Sequence, residues 1–322
     1  MKNHRRTKNN HLCFISNLCL LFFISTGLAA AEVSAAKIKT QTADKVLQLG
    51  GTENDDTELA LALPSDVDVH AGKIYVVDGS HHRIMVYDLQ GNFLFQFGSK
   101  GDQPGQFNYP VGIDVAADNR VYIADSGNHR VQIFSNKGVY LSSFAIKANN
   151  KDIRPIDILR HSRTGNIFVS ASNHRLMIYT AKGKLLKKWG NNGINRGEFR
   201  YPATLAELKD GRIAVIDVLN SRAQVFNIDG SISLTVGEWG VLPGQLFRPK
   251  GIAIDKQGNY YISDSYMNVI QKYSDDGDFA AVLGNKGKPY DMLTPVGMSI
   301  YQDRLYVVEM KRNSVSVYQL GK

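Results

Sequence analysis

The chain has 322 residues, with 38 basic and 30 acidic side chains and two cysteines. About 290 residues remain after the first apolar segment, which is ample for a hydrophobic core that needs no disulfides. No second apolar segment follows, so the composition excludes further membrane spans.

The first 31 residues have the pattern of a secretory signal peptide. Four basic residues come first, and a mostly apolar run from Leu12 to Leu28 follows. Three alanines that end at Ala31 supply the small residues of a cleavage site. We therefore predict cleavage after Ala31 and a location in the periplasm or outside the cell. The alternative is an uncleaved membrane anchor, which the polar Asn17 and the short apolar run disfavour.

The mature chain that this cleavage leaves is only mildly basic. It holds 34 basic and 30 acidic side chains, a net charge of +4, which is not typical of a nucleic-acid-binding domain. Both cysteines, Cys13 and Cys19, are removed, so neither a disulfide nor a thiolate metal site is expected. We predict no nucleic-acid partner and no membrane span after cleavage.

One phrase recurs six times along the rest of the chain. Its spacings are 46, 45, 47, 47 and 46 residues, and the prolines that mark the copies are Pro64, Pro110, Pro155, Pro202, Pro249 and Pro295. A fixed period of this length with strand-like content predicts a propeller or a solenoid.

Each repeat contains four runs typical of β-strands. In the second repeat they are Val111–Val115, Val121–Ala124, Val131–Phe134 and Tyr140–Phe144, and turn residues separate them. Strands such as Ile74–Val77 are apolar on both faces, as strands between two neighbouring sheets must be. We predict an all-β fold, a six-bladed β-propeller of four-stranded antiparallel blades.

The two ends of the chain are predicted to meet in the last blade. The sixth repeat stops after its third strand, and Lys45–Gly50 resembles Asn92–Gly98, the fourth strand of the first repeat. An N-terminal strand that completes the last blade would leave no exposed sheet edge. The propeller is therefore expected over residues 44–322, with residues 32–43 as a short leader.

Two short motifs carry a resemblance to a known family. Asn128-His129-Arg130-Val131, Asn173-His174-Arg175-Leu176 and the segment from Gly101 to Ile113 are similar to NHL repeats. The resemblance covers all six repeats and is to exported bacterial members of the family. It implies a propeller that acts as a protein-binding platform, an RNA-binding domain, an extracellular sensor or, in a few members, a lyase.

Several recurring residues are interpreted as scaffold. An Asp that ends the second strand and an Arg five residues later are expected to pair in three repeats, as Asp78/Arg83, Asp125/Arg130 and Asp217/Arg222. Histidines directly before Arg or its equivalent, His82, His129 and His174, are interpreted as turn residues that pack on their own blade. Phenylalanines before the marker prolines, Phe107, Phe199 and Phe247, are interpreted as packing between blades.

Candidate binding residues are those that depart from the repeat. In a propeller of this order, the loops from fourth to first strand and from second to third strand lie on one face, around the mouth of the channel. There the aromatic, Met and basic composition of an interface centre is found in His81, Trp239, Tyr266, Met267, Lys311 and Arg312. Sequence drift without a gain of function is the alternative interpretation.

An enzyme and an RNA-binding propeller are the competing functions. The amidating lyases that this fold resembles hold zinc through histidines at the channel mouth, yet no repeat has a histidine at the start of its first strand. Asp66 and Asp157 are weak candidates for a metal site, so calcium or zinc is not excluded although no cofactor is predicted. We predict an exported, non-catalytic scaffold that binds a protein or peptide partner at the channel-mouth face.

Overall fold

The computed structural model describes residues 38–51 and 58–321. The predicted signal peptide and residues 32–37 of the predicted leader lie outside the described residues. The regular elements of the described residues are strands and four short 3₁₀ turns, the latter at Gly79–His81, Ser126–Asn128, Val218–Asn220 and Met310–Arg312. Among the described residues no helix is long and apolar enough to span a membrane.

The strands follow one another in the order that the repeats predict. They are β1 (Thr40–Gly50), β2 (Asp66–His70), β3 (Lys73–Asp78), β4 (Arg83–Asp88), β5 (Phe93–Phe97), β6 (Pro110–Val115), β7 (Arg120–Asp125), β8 (Arg130–Ser135), β9 (Tyr140–Ala145), β10 (Lys147–Ala148), β11 (Lys151–Asp152), β12 (Pro155–Arg160), β13 (Ile167–Ala171), β14 (Arg175–Tyr179), β15 (Leu185–Trp189), β16 (Pro202–Glu207), β17 (Ile213–Asp217), β18 (Arg222–Phe226), β19 (Ile232–Val236), β20 (Pro249–Ile254), β21 (Tyr260–Asp264), β22 (Val269–Tyr273), β23 (Phe279–Asn285), β24 (Lys288–Pro289), β25 (Pro295–Tyr301), β26 (Arg304–Glu309) and β27 (Ser314–Leu320).

The sheets confirm the β-propeller. The first four repeats each form a separate antiparallel sheet of four strands, namely β2–β5, β6–β9, β12–β15 and β16–β19. The strands of the fifth and sixth repeats do not form two separate sheets. They lie in one nine-stranded sheet with the order β20-β21-β22-β23-β1-β27-β26-β25, and β24 pairs with β23.

Strand β1 causes this merger and also closes the last repeat. It runs antiparallel to β27, from Ala43 opposite Leu320 to Gly50 opposite Ser314, so the N-terminal strand completes the last blade as predicted. Its first residues, Thr40–Thr42, continue past that blade and pair in parallel with β23. The strand therefore begins inside the segment that the sequence assigns to a leader, because those residues find a free edge to pair with.

The core lies between neighbouring repeats. The second strands are buried on both faces; in β21 all five residues are buried. Each hydrophobic cluster joins strands of two successive repeats, and one, which contains Val67, Val76, Val308 and Val317, joins the sixth repeat to the first. The first strands contact one another in a closed ring around a central cavity. Because every sheet is covered on both sides, the apolar pattern lacks the alternation of a half-exposed strand.

Two of the three repeated histidines connect neighbouring repeats. The backbone N–H of Tyr109 donates to Nδ1 of His82 over 3.0 Å, and that of Tyr201 donates to Nδ1 of His174 over 3.2 Å. For these two, the interpretation that the ring packs on its own blade is wrong. The left-handed backbone of His82, with φ of 56°, turns its ring toward the next repeat.

Candidate binding face at the channel mouth

One face of the propeller collects the start of each first strand and the end of each second strand. Pro110 lies opposite Asp125, and Pro249 lies opposite Asp264. We call the loops at this end of the strands the channel-mouth face. Most of the predicted site residues are on these loops.

The Asp and Arg residues of the repeats form ion pairs that shape this face. The distance from Arg Nε to Asp Oδ2 is 2.8 Å for Arg83 and Asp78, 2.8 Å for Arg130 and Asp125, and 3.0 Å for Arg222 and Asp217. All three carboxylates are fully buried. Their other oxygen accepts a backbone N–H from the preceding loop, as Asp125 does from Asn108 over 2.8 Å. The pairs thus fix the loops of the face and leave no free group for chemistry.

The fifth repeat lacks the Arg and satisfies its carboxylate differently. Asp264 is fully buried, and Val269 stands where the Arg would be. One oxygen of Asp264 accepts the backbone N–H groups of Phe247 and Arg248, at 2.6 and 3.0 Å. The other accepts those of Tyr266 and Met267, at 3.1 and 3.0 Å, so one carboxylate orders two segments of the face.

Those two segments hold an exposed aromatic cluster, which consists of Trp239, Phe247 and Tyr266. The ring centroids of Phe247 and Tyr266 are 4.4 Å apart, and those of Trp239 and Phe247 are 6.5 Å apart. Trp239 is 71% exposed and Tyr266 is 65% exposed, while Phe247 is half-buried between them. Trp239 and Tyr266 were predicted as binding residues from the sequence, whereas Phe247 was not recognised as their partner.

The interpretation of Phe247 as packing between blades is wrong. Strand register shows why: Lys100 pairs with Phe107 and Asn192 with Phe199, whereas Trp239 pairs with Leu246. Leu246 is therefore the equivalent of the two buried phenylalanines, and it is fully buried as they are. Phe247 lies one residue later and points into the exposed cluster. Counting three residues back from Pro249, the distance at which Phe107 and Phe199 precede Pro110 and Pro202, identifies Leu246 from the sequence.

The other predicted binding residues lie apart from the cluster or serve the scaffold. His81 Nδ1 is 2.9 Å from Asp78 Oδ2 in the first repeat, and it makes no contact with the aromatic cluster. Arg312 pairs with Glu309, at 2.8 Å from Nε to Oε2, and so replaces the missing ion pair of the sixth repeat. Lys311 is exposed, and Met267 is half-buried beside Tyr266.

Exposed apolar side chains concentrate on this face. Among the described residues, the large apolar side chains exposed there are Leu63, Tyr109, Ile194, Tyr201, Leu219, Trp239, Val241, Leu242, Tyr266 and Leu293. The loops of the opposite face expose Val139 and Ile228. Exposed apolar patches of this kind are typical of interaction surfaces.

The mouth of the channel forms a cavity of about 190 Å³ at the centre of the face. Lys250, Tyr201 and Thr204 line it, together with Asp66 and Asp157. The ammonium of Lys250 lies 5.4 Å from the centroid of the Tyr201 ring. Burial and the nearby Arg248 lower the pKa of Lys250.

Asp66 and Asp157, the weak metal candidates, connect neighbouring repeats. Asp66 Oδ2 accepts the N–H of Ile113 over 3.0 Å, and Asp157 Oδ2 accepts that of Leu205 over 2.8 Å. Burial raises the pKa of Asp66 well above its ordinary value, and it raises that of Asp157 to about 8. Among the described residues no three His, Cys, Asp or Glu side chains are grouped so as to hold a metal ion.

Deeper in the channel, a second cavity of about 280 Å³ is acidic. Asp68, Asp114 and Glu207 line it with Arg160 and Ser299. Asp68 Oδ2 accepts the N–H of Val115, and Asp114 Oδ2 accepts that of Arg160, so these carboxylates also tie one repeat to the next. The channel carboxylates are thus structural hydrogen-bond acceptors.

A family model and a curated protein match part of this sequence. The NHL repeat model matches residues 107–134. The protein "brain tumor" of Drosophila melanogaster is 40% identical over 57 residues, which is 17% of this chain and 6% of that protein. The chain therefore spans only a small part of the length of that relative.

Solved structures match the fold over most of its length. A streptogramin B lyase is 12% identical, with a TM-score of 0.61 over 85% of this chain and 98% of the lyase. A catalytically inactive virginiamycin B lyase from Staphylococcus aureus, solved with quinupristin, is 15% identical, with a TM-score of 0.61 over 85% and 99%. A Bacteroides thetaiotaomicron protein of unknown function is 14% identical, with a TM-score of 0.63 over 88% and 75%. At these identities the likeness is one of fold.

Proposed function

We propose that this NHL-repeat β-propeller is a non-catalytic scaffold that is exported from the cell. It binds a protein or peptide partner through the channel-mouth face. The observation that carries the proposal is the aromatic cluster of Trp239, Phe247 and Tyr266. Exposed aromatic side chains around a half-buried one are what the centre of an interface contains.

Sequence drift does not explain the aromatic cluster, because its three residues contact one another in the folded chain. Two other repeats have no aromatic residue at the equivalent positions. Trp239 corresponds to Lys100 and Asn192, and Phe247 corresponds to Asn108 and Arg200. Tyr266 corresponds to Gly127 and Leu219. Two loops thus carry aromatic residues at three positions that meet in space. Sequence drift would place the three aromatic residues independently of one another. Such isolated, exposed side chains would lower the solubility of the protein without contacting one another.

A buried aromatic side chain contributes substantially to binding. Trp and Tyr each bury roughly 150–250 Å² when covered, and burial is favourable by about 25 cal/mol per Å². Covering both exposed rings would therefore supply several kcal/mol, enough for a hot spot at the centre of an interface.

Cross-linking tests the proposal directly. A photo-reactive phenylalanine analogue at position 242, beside the cluster, is introduced into the native chain and into a Trp239→Ala/Tyr266→Ala variant. The control variant is Leu94→Ala/Leu141→Ala, which removes exposed apolar side chains from outer strands. We expect the double aromatic variant to recover at most a tenth of the cross-linked partner, and the control to recover all of it. Equal recovery from both variants would contradict the proposal.

The enzyme alternative is tested by metal content. The lyase neighbours support it by fold alone, and this chain has no histidine at the starts of its first strands. Elemental analysis of the purified mature protein is expected to find neither zinc nor calcium at one equivalent. One equivalent of zinc or calcium would instead support the alternative function, a metal-dependent lyase or lactonase-like enzyme. Export is tested separately, by N-terminal sequencing, which is expected to begin at Glu32.

A further inference from the structure

Basic side chains without partners surround the aromatic cluster and the channel mouth. In the fourth to sixth repeats, the following make no side-chain hydrogen bond or ion pair with another described residue: Arg196, Arg200, Arg248, Lys250 and Lys311. All but Lys250 are exposed. Arg83, Arg130 and Arg222 of the same face are held in ion pairs, whereas Arg154 and Arg175 of the third repeat have no such partner among the described residues, so the free cations continue into that repeat.

The carboxylates of the same repeats do not neutralise these cations. Asp217, Asp264 and Glu309 are buried, and backbone N–H groups or their own arginines satisfy them. Glu198 bonds to Asn195 at 2.9 Å. Glu238, which contacts Gln245, and Asp291 are the exposed acids of these loops. The exposed surface of this part of the face is therefore positively charged.

Lys250 is the cation whose position needs an explanation. It follows Pro249 directly, at the position where other repeats have Val111, Ile156, Ala203 or Val296. The chain thus places a half-buried ammonium at a position that is apolar in those repeats, over the ring of Tyr201 and without an ion pair, although Asp66 and Asp157 line the same cavity. A partly desolvated charge without a counter-ion destabilises the fold, and a bound anion removes that cost.

We propose that the partner segment is an acidic peptide, with one carboxylate bound by Lys250 in the mouth cavity and an apolar side chain on the aromatic cluster. The inference rests on the proposed function and adds the chemistry of the partner. Phe247 and Lys250 are three residues apart, so their Cα atoms are at most about 11 Å apart. An extended peptide covers that distance with two to four residues. The expected motif is therefore an Asp, Glu or terminal carboxylate within four residues of an aromatic or large aliphatic residue.

Selection from a random heptapeptide library tests the motif. The native chain, Lys250→Met and Trp239→Ala are used as baits, with Lys209→Met as the control. Lys209 is an exposed lysine on the opposite face. The native chain and the control are expected to enrich peptides that combine Asp or Glu with an apolar residue. Lys250→Met is expected to lose the acidic enrichment and keep the apolar one, because the aromatic cluster is untouched.

The affinity of one selected peptide provides the quantitative measurement. Its Kd for Lys250→Met is expected to be at least tenfold weaker than for the native chain, and Lys250→Arg is expected to recover most of the loss. Raising NaCl from 0.05 to 0.5 M is expected to weaken native binding severalfold, because exposed charges are screened. Lys250→Met is expected to be less sensitive to salt.

The outcomes separate this inference from the proposed function. Enriched peptides without an acidic bias, or an acidic bias that survives in Lys250→Met, would overturn the acidic-peptide inference and leave the scaffold intact. Failure to enrich any peptide, or enrichment that Trp239→Ala does not change, would overturn the peptide scaffold and the inference together. A random 20-nucleotide RNA pool that displaces the selected peptide and binds tenfold more tightly would assign the cations to nucleic acid instead.

Discussion

Asp157 offers the sharpest test of how the channel is held together. Its carboxyl is buried, one oxygen accepts the N–H of Leu205, and Oδ1 has no hydrogen-bond partner in the structure. Burial raises its pKa to about 8, and Asp114 and Asp68 add to the increase. A Cβ on Gly112 would collide with Oδ1, so this oxygen lies against the backbone of the second repeat. At neutral pH the folded protein therefore favours the protonated acid.

The sign of the pH dependence follows from this raised pKa. The unfolded carboxyl has an ordinary pKa of 3.8, so between about pH 5 and pH 7 only the folded state holds the proton. The stability from Asp157 is complete below the unfolded pKa and is lost as the pH rises toward 8. Each pH unit in that window lowers the free energy of unfolding by up to about 1.4 kcal/mol.

Asp157→Asn isolates this contribution. The amide oxygen keeps the bond to Leu205, and the amide imitates the neutral acid without the cost of ionisation. Urea unfolding is measured at pH 5, 6 and 7 for the native chain, for Asp157→Asn and for the exposed control Asp276→Asn. The stability difference between Asp157→Asn and the native chain is expected to grow in favour of Asn by about 1 kcal/mol per pH unit. A difference that stays constant with pH would refute the reasoning.

Three further predictions concern the scaffold of the face. Phe199→Ala is expected to lower the free energy of unfolding in urea by about 3–5 kcal/mol, because the ring is fully buried. Phe247→Ala is expected to lower it by less than about 1.5 kcal/mol. Equal losses would contradict the strand register that places Leu246, and not Phe247, in the core. Asp264→Asn is expected to cost roughly 2–3 kcal/mol, since an amide oxygen cannot replace a carboxylate that accepts four N–H groups; an unchanged urea midpoint would show that water serves those groups. Burial lowers the pKa of His82 below its ordinary 6.5, so thermal stability is expected to fall below pH 6.5, where the unfolded chain binds a proton that the folded ring, whose Nδ1 accepts from Tyr109, does not; His82→Asn should remove that fall, and a native melting temperature equal at pH 7.5 and 5.5 would argue against it.

The fold was largely predictable because its signal is periodic. A spacing near 46 residues that recurs over six copies predicts a repeated sheet, and an irregular copy is recognised from the others. The closure through β1 was predictable for the same reason, since Lys45–Gly50 matches the missing strand. The parallel pairing of Thr40–Thr42 was not, because a three-residue segment carries no pattern that selects one sheet edge.

The candidate site was predictable only in part. Trp239 and Tyr266 were visible as departures from the repeat, but the sequence also singled out Arg312, whose charge is used by Glu309. A predicted surface position, and a departure from the residue found in the other repeats, do not reveal whether a charged side chain has an ion-pair partner. Lys250 was not among the predicted binding residues, since the absence of an ion pair at its ammonium is a property of the folded surface.

The sequence by itself determined the repeat, its strands, the closing strand and the scaffold pairs, because each depends on residues that recur at a fixed spacing or lie close along the chain. Only the tertiary structure decided that Phe247 contacts Trp239 and Tyr266. Leu246 takes the buried position three residues before Pro249, and Phe247 lies between Trp239 and Tyr266. These side chains come from two loops, and their contact depends on how those loops are ordered around one buried carboxylate, that of Asp264.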